Sequence, residues 1–175
     1  MQNLRVSLTV FGREDRLRSR NQGREEILIR DMKSEEIKEV SQIWLSANLE
    51  AHDFIPASYW KGNLDLVREE LPLAKVRVYE EEGKILGFLG RNGEEIEGIF
   101  VRKECRSRGI GRALLEDAKQ SRERLRLHVY QKNRRARTFY LREGFWICSE
   151  GIDGGTGEKE YCMLYERQKG SLGGI

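Results

Sequence analysis

The chain has 175 residues, 38% hydrophobic and 35% charged, with a net charge of +3, a length that fits one domain with a sizeable core. No apolar run approaches the ~18 residues of a membrane span, and the first residues lack the apolar stretch and small-residue cleavage site of a secretion signal. Cys105, Cys148 and Cys162 are odd in number and show no metal-ligand spacing, which predicts reduced thiols in a cytoplasmic protein and no metal site.

Residues 1–26 sit apart from the rest. Leu4, Val6, Leu8 and Val10 alternate as in a strand, but Arg13 to Glu26 is almost wholly charged and polar. This stretch is expected to be a disordered N-terminal extension. A domain over 27–166 follows, and 167–175 reads as a flexible tail.

Ile27 to Asp31 reads as a strand. Ser34 is placed to cap a helix, with Glu35 and Glu36 in a first turn where the helix dipole favours carboxylates. Ile37, Val40, Trp44 and Ala47 mark its buried face at helical spacing. After the loop His52-Asp53-Phe54-Ile55-Pro56, a second helix is expected, with Trp60, Leu64, Val67 and Leu71 along one side and Pro72 as its stop. Val76 and Val78 alternate with charges in a strand, and 81–84 turns the chain into a returning strand over 85–89. The next strand runs from Glu94 to Val101. Ile96 and Ile99 lie an odd number of residues apart, so one alternating register cannot put both on the same face. A bulge near Glu97 or Gly98 reconciles them.

Arg106-Ser107-Arg108-Gly109-Ile110-Gly111-Arg112-Ala113-Leu114-Leu115 is the most informative stretch. Glycine lets the backbone approach a ligand closely. The first N–H groups of a helix have no partner inside it, and the dipole adds positive potential there. Together these form a cradle for a diphosphate. A helix is expected over 109–124. A strand over 125–130 then places Leu125, Leu127 and Val129 on one face and His128 on the other. A helix over 133–143 and a hairpin over 145–150 and 159–166, turning through 153–157, complete the pattern.

Charge is segregated along the chain. Residues 102–142 hold fourteen Lys and Arg against four Asp and Glu, whereas 43–100 hold six against eleven. A basic half suits a phosphorylated ligand, and an acidic half suits a cationic one.

Two spaced motifs carry a resemblance over about 27–166. Arg106, Gly109 and Gly111 meet the pattern Arg/Gln-x-x-Gly-x-Gly/Ala. Asn133, Ala136, Tyr140, Gly144 and Phe145 meet Asn-x-x-Ala-x-x-x-Tyr-x-x-x-Gly-Phe after a strand. In this order they resemble the GNAT superfamily of acetyl-CoA-dependent N-acetyltransferases, and within it the small bacterial group of peptidyl-lysine and ribosomal-protein acetyltransferases. The resemblance implies an α/β fold, with a central mixed, mostly antiparallel sheet of about seven strands and helices on both faces. It also implies that acetyl passes directly from acetyl-CoA, as cosubstrate, to a primary amine.

By the same resemblance, the backbone of Phe100 and Val101 would contact the pantetheine arm. Amides from Arg106, Arg108, Gly109, Ile110, Gly111 and Arg112 would hold the diphosphate. The Asn133 side-chain amide would bind the arm, and Tyr140 would protonate the leaving thiolate. His128 stands where the ribosomal-protein branch has a glutamate base. Its ordinary pKa of about 6.5 suits it to the same task. His52 and Phe54 border the acceptor side. Glu97, with Glu94 and Glu95, lies on the strand edge nearest the acceptor, where it could hold a cation or a relaying water. The expected acceptor is a lysine side chain or N-terminal amine of a protein or peptide, and the expected state is a monomer or homodimer, with no membrane or nucleic acid partner. Acetylation of a small amine is the alternative within the enzymes. A non-catalytic acyl-CoA- or nucleic-acid-binding module is the other alternative, but only Tyr130 and Tyr140 offer tyrosine rings within the basic stretch, few for a nucleic-acid surface.

Overall fold

A computed structural model describes residues 26–168. The expected extension, apart from Glu26, and the tail beyond Gln168 lie outside the described residues. The strands are β1 (Ile27–Asp31), β2 (Lys75–Glu81), β3 (Lys84–Asn92), β4 (Glu95–Val101), β5 (Arg124–Tyr130), β6 (Trp146–Ile152) and β7 (Lys159–Glu166). The helices are α1 (Ile37–Ala51), α2 (Ala57–Gly62), α3 (Leu64–Glu70), α4 (Ile110–Ser121) and α5 (Arg134–Arg142). The strands form one sheet in the order β1-β2-β3-β4-β5-β7-β6. Every neighbouring pair is antiparallel except β4 and β5, which run parallel.

Two clusters of buried side chains sandwich the sheet. One joins Val40 and Ile43 of α1 and Val67 of α3 to Val76, Val78, Ile85 and Phe88. The other joins Ile110, Leu114, Leu115 and Ala118 of α4 and Tyr140 of α5 to Leu89, Ile96, Leu125, Leu127, Val129 and Met163. The residues of β5 alternate strictly, with Leu125, Leu127 and Val129 buried and Arg126 and His128 exposed, as a strand half-covered on one face requires.

Two local expectations are corrected. The second helix is not continuous. Asn63 ends α2, its Nδ2 donating to Tyr59 O at 2.7 Å, and α3 begins at the next residue. Gly62 and Asn63 are both weak helix formers, and the helix is interrupted there. Leu71 and Pro72 lie in a following 3₁₀ turn, Leu71–Leu73. Ser34 is not a cap. It lies in the 3₁₀ turn Ser34–Glu36, and the Glu36 carboxylate accepts from Lys33 N–H at 2.8 Å instead.

The irregularity expected in β4 is present. Gly90 pairs with Gly98 and Arg91 with Ile96, so Glu97 is the extra residue of a bulge. Ile96 and Ile99 consequently both reach the α4 side of the sheet. Gly98 lies under the ring of Phe100, where a Cβ would collide with it.

Candidate active site

The bulge leads to a fork in the sheet. β4 and β5 share only the pairs Glu95–Arg126 and Ile96–Leu127, extended by Arg126 N–H to Glu94 O at 2.9 Å. Past that point Phe100 and Val101 pair with Phe88 and Gly87 of β3, while His128, Val129 and Tyr130 pair with Cys162, Tyr161 and Glu160 of β7. The two strands do not pair again. Their facing edges can therefore take the amides and carbonyls of an extended ligand, as an open sheet edge does.

The 106–109 loop follows β4 and leads into α4. Ser107 and Gly109 have φ of 62° and 83°, and α4 starts immediately after Gly109. A Cβ on Gly109 would meet nothing within 4 Å, so it is the left-handed backbone that calls for glycine there, and the space beside it is open. Ile110, 2% exposed, anchors the loop in the core. The arginine side chains are less free than the backbone amides. Arg106 pairs with Glu50 of α1 at 2.8 Å, which also holds Lys103 at 2.9 Å, and Arg108 pairs with Glu81 at 2.7 Å. Arg112 has only a loose approach to Glu143 at 3.7 Å. Open space, unpaired helix-start amides and Arg112 suit a diphosphate.

His128 is the first residue of β5 past the last pair with β4. Its Nδ1 lies 3.0 Å from Glu95 Oε1, and Arg126 Nε donates to the other oxygen, Oε2, at 2.7 Å. The hydrogen bond to Glu95 raises the His128 pKa above its ordinary value, against the opposing effect of burial. For Glu95, burial would push the carboxyl up, but the bonds from His128 and Arg126 outweigh it and hold it low. Glu97, on the bulge, is raised by desolvation, with the neighbouring Glu95 charge adding to the effect, and it accepts a long bond of 3.3 Å from Asn92. Tyr140 is 7% exposed, with Phe139 and Phe145 against its ring, and burial raises its phenol pKa. It shares the core cluster of Leu127 and Val129, so it and His128 lie on opposite faces of β5.

Asn133 caps α5. Its Oδ1 accepts from Ala136 N–H at 3.1 Å and its Nδ2 lies 3.0 Å from His52 Nε2. The His52 ring stacks on Trp60 at 5.3 Å and meets Phe54 and Tyr130 edge-on at 5.6 and 5.1 Å. Burial lowers its pKa to about 4, so it is neutral at physiological pH. Phe54 continues into a cavity of about 420 Å³ lined by Phe54, Ile55, Pro56, Ser58, Tyr59, Gly155, Thr156 and Glu158. Asp153 holds the far wall, accepting from Tyr130 Oη at 3.0 Å and Thr156 Oγ1 at 2.6 Å. At the rim the Lys132 ammonium pairs with Glu158 at 2.9 Å and lies 5.2 Å from the centre of the Phe54 ring. His52 and Glu97 do not line this cavity.

Phe100, Val101 and His128 thus lie along the fork, the 106–112 segment leads into α4, and Asn133 and Tyr140 belong to the start and end of α5. The sequence assigns no site role to Glu50, Glu81, Trp60, Lys132 or Glu158. Each acts through a partner distant in the chain or on a neighbouring element, and no local pattern marks such pairs.

Comparison with known proteins identifies the family and the fold. Residues 72–147 match the family model described as an acetyltransferase (GNAT) domain. The chain is 38% identical over 122 residues, 69% of its length and 84% of the relative's, to the peptidyl-lysine N-acetyltransferase YiaC of Escherichia coli. It is 34% identical over the same share of its length, and 83% of the relative's, to the peptidyl-lysine N-acetyltransferase YjaB of that organism. The solution structure of apo YjaB superposes with a TM-score of 0.73 at 30% identity, covering 82% of this chain and 99% of that one. The fold also matches PaiA N-acetyltransferase of Thermoplasma acidophilum, solved with coenzyme A, with a TM-score of 0.67 at 19% identity over 81% of this chain and 99% of that one. This chain, with its forked sheet and glycine-rich helix start, belongs to the GNAT acetyltransferases and is an acetyl-CoA-dependent N-acetyltransferase.

Proposed function

We propose that the acceptor is a protein or peptide amine, foremost the side chain of lysine. The observation that carries this reading is the rim of the cavity, where Phe54 and Glu158 already hold an alkylammonium, that of Lys132. An aromatic face and a carboxylate are the two groups that attract such a cation. The cavity opens between a loop and a turn and is not enclosed by the core, which suits a side chain presented by a larger molecule. The names of YiaC and YjaB point to the same class. We place the reaction in the cytoplasm, in keeping with three free cysteines.

In the proposed mechanism the amides from Arg106 to Arg112 hold the diphosphate, and Phe100, Val101 and Asn133 align the pantetheine arm along the fork. With Nδ1–H donating to Glu95, neutral His128 keeps a lone pair on Nε2, the arrangement in which a carboxylate orients a histidine base. Nε2 takes the proton of the incoming amine, directly or through a water held near Glu97. The amine nitrogen forms the new bond to the acetyl carbon as the carbon–sulfur bond breaks. Tyr140, kept protonated by burial, delivers a proton to the sulfur.

The test is thiol release from acetyl-CoA, with mass mapping of the product. Acceptors are a lysine peptide, the same peptide blocked at its N-terminus, and a panel of small amines that includes a free amino acid and an aminoglycoside. Preferred turnover of the peptides supports the reading. Turnover of the small amines alone would replace it with small-molecule acetylation, and no thiol release with any amine would replace it with a binding module.

A further inference from the structure

We infer that His52 is a positioning residue for acetyl transfer, holding the Asn133 side chain in the orientation that starts α5 and faces the cofactor arm. This rests on the proposed contact of Asn133 with the arm. The Ala136 N–H must be met by an oxygen, and Asn133 Oδ1 meets it at 3.1 Å. The amide nitrogen of Asn133 is therefore turned to His52 Nε2 at 3.0 Å. Nδ2 can only donate, so Nε2 must accept, and the neutral ring carries its proton on Nδ1.

That tautomer has a cost. Nδ1 is buried without a hydrogen-bond partner, a loss of hydration that a phenylalanine ring of similar shape would avoid. The stack on Trp60 and the edges of Phe54 and Tyr130 supply packing that a carbon ring could equally enjoy. What histidine adds at this position is one acceptor, and Asn133 uses it. Two residues earlier, Glu50 holds Arg106 and Lys103 beside the phosphate loop. The end of α1 therefore reaches both cofactor-facing segments, while Phe54, on the loop that continues from it, forms a wall of the cavity.

Nitrogen-15 NMR of the intact protein at neutral pH reads the tautomer. The expected result is His52 neutral, protonated at Nδ1 and bare at Nε2. A proton on Nε2 would overturn the inference. Calorimetry with CoA reads the consequence. His52→Phe should weaken CoA roughly 2- to 12-fold, the range for one hydrogen bond, without lowering the melting temperature. His52→Gln, whose amide oxygen can accept, should bind near the wild-type level. In the background of Asn133→Ala, His52→Phe should add no further loss. Wild-type CoA affinity in His52→Phe, with Asn133→Ala impaired, would refute the positioning role alone. Wild-type affinity in Asn133→Ala would instead refute the cofactor contact of Asn133.

Discussion

At the residue scale the proposed mechanism turns on His128 and Tyr140, whose environments push them in useful directions. The Glu95 bond raises the His128 pKa. In the free enzyme the acetylation rate should therefore rise with pH through a value above the ordinary histidine pKa of about 6.5. His128→Gln should abolish that limb. Glu95→Gln should move it down toward the ordinary value, because the group that raises it is gone. An unmoved limb in His128→Gln would assign the base elsewhere. The stability linkage has the matching sign. A histidine raised on folding contributes fully below its unfolded pKa, and the contribution fades as pH rises through the folded value. Glu95, lowered on folding, contributes above its unfolded pKa and loses that as pH falls. The pair therefore helps most between the two, modestly, since both groups are partly solvated. Tyr140→Phe keeps the ring against Phe139 and Phe145 and removes one hydroxyl. Turnover should fall by ~10²–10⁴-fold with CoA affinity retained, measured by single-turnover kinetics and calorimetry. An unchanged chemical step would make Tyr140 only a core residue. Both residues could be picked out in the sequence by position and motif. The Glu95 partnership could not be assigned from sequence, because it spans two strands that meet only in the folded sheet.

At the element scale the determining feature is the bulge in β4. One extra residue, Glu97, restores Ile96 and Ile99 to a common face and bends the strand away from β5. Deleting Glu97 should return β4 to a regular register and let it pair further along β5. Circular dichroism should show the folded sheet and helices, while CoA binding by calorimetry is lost. Wild-type CoA affinity after the deletion would show that the fork does not depend on the bulge. The odd spacing of two isoleucines was enough to anticipate this element, because a buried face tolerates no slip in alternation. The break between α2 and α3 was not anticipated. Trp60 and Val67 keep helical spacing across it, and hydrophobic periodicity does not register the weak helix formers Gly62 and Asn63 between them. The start of α1 failed for a similar reason, since a carboxylate at Glu36 served the Lys33 amide in place of the serine expected to cap.

At the scale of the whole molecule, the charge asymmetry acquires a layout. The basic segment supplies the 106–112 loop and α5, while Glu50 and Glu81 from the acidic half reach across to Arg106 and Arg108. Net charge along the chain thus described the general field but overstated the number of free guanidinium groups at the cradle. The sequence by itself determined the succession of strands and helices apart from the break between α2 and α3, the glycine-rich start of α4 and the two faces of β5. These depend on periodicity, backbone freedom and motif spacing, all local properties of the chain. Only the tertiary structure decided that β4 and β5 part after two pairs, that Glu95 raises His128, that His52 turns to Asn133 instead of the cavity, and that Lys132 sits on Phe54 and Glu158. Hydrogen bonds and burial between distant or neighbouring segments set these features, and they exist only once the sheet has brought those segments within about 3 Å, the length of such a bond.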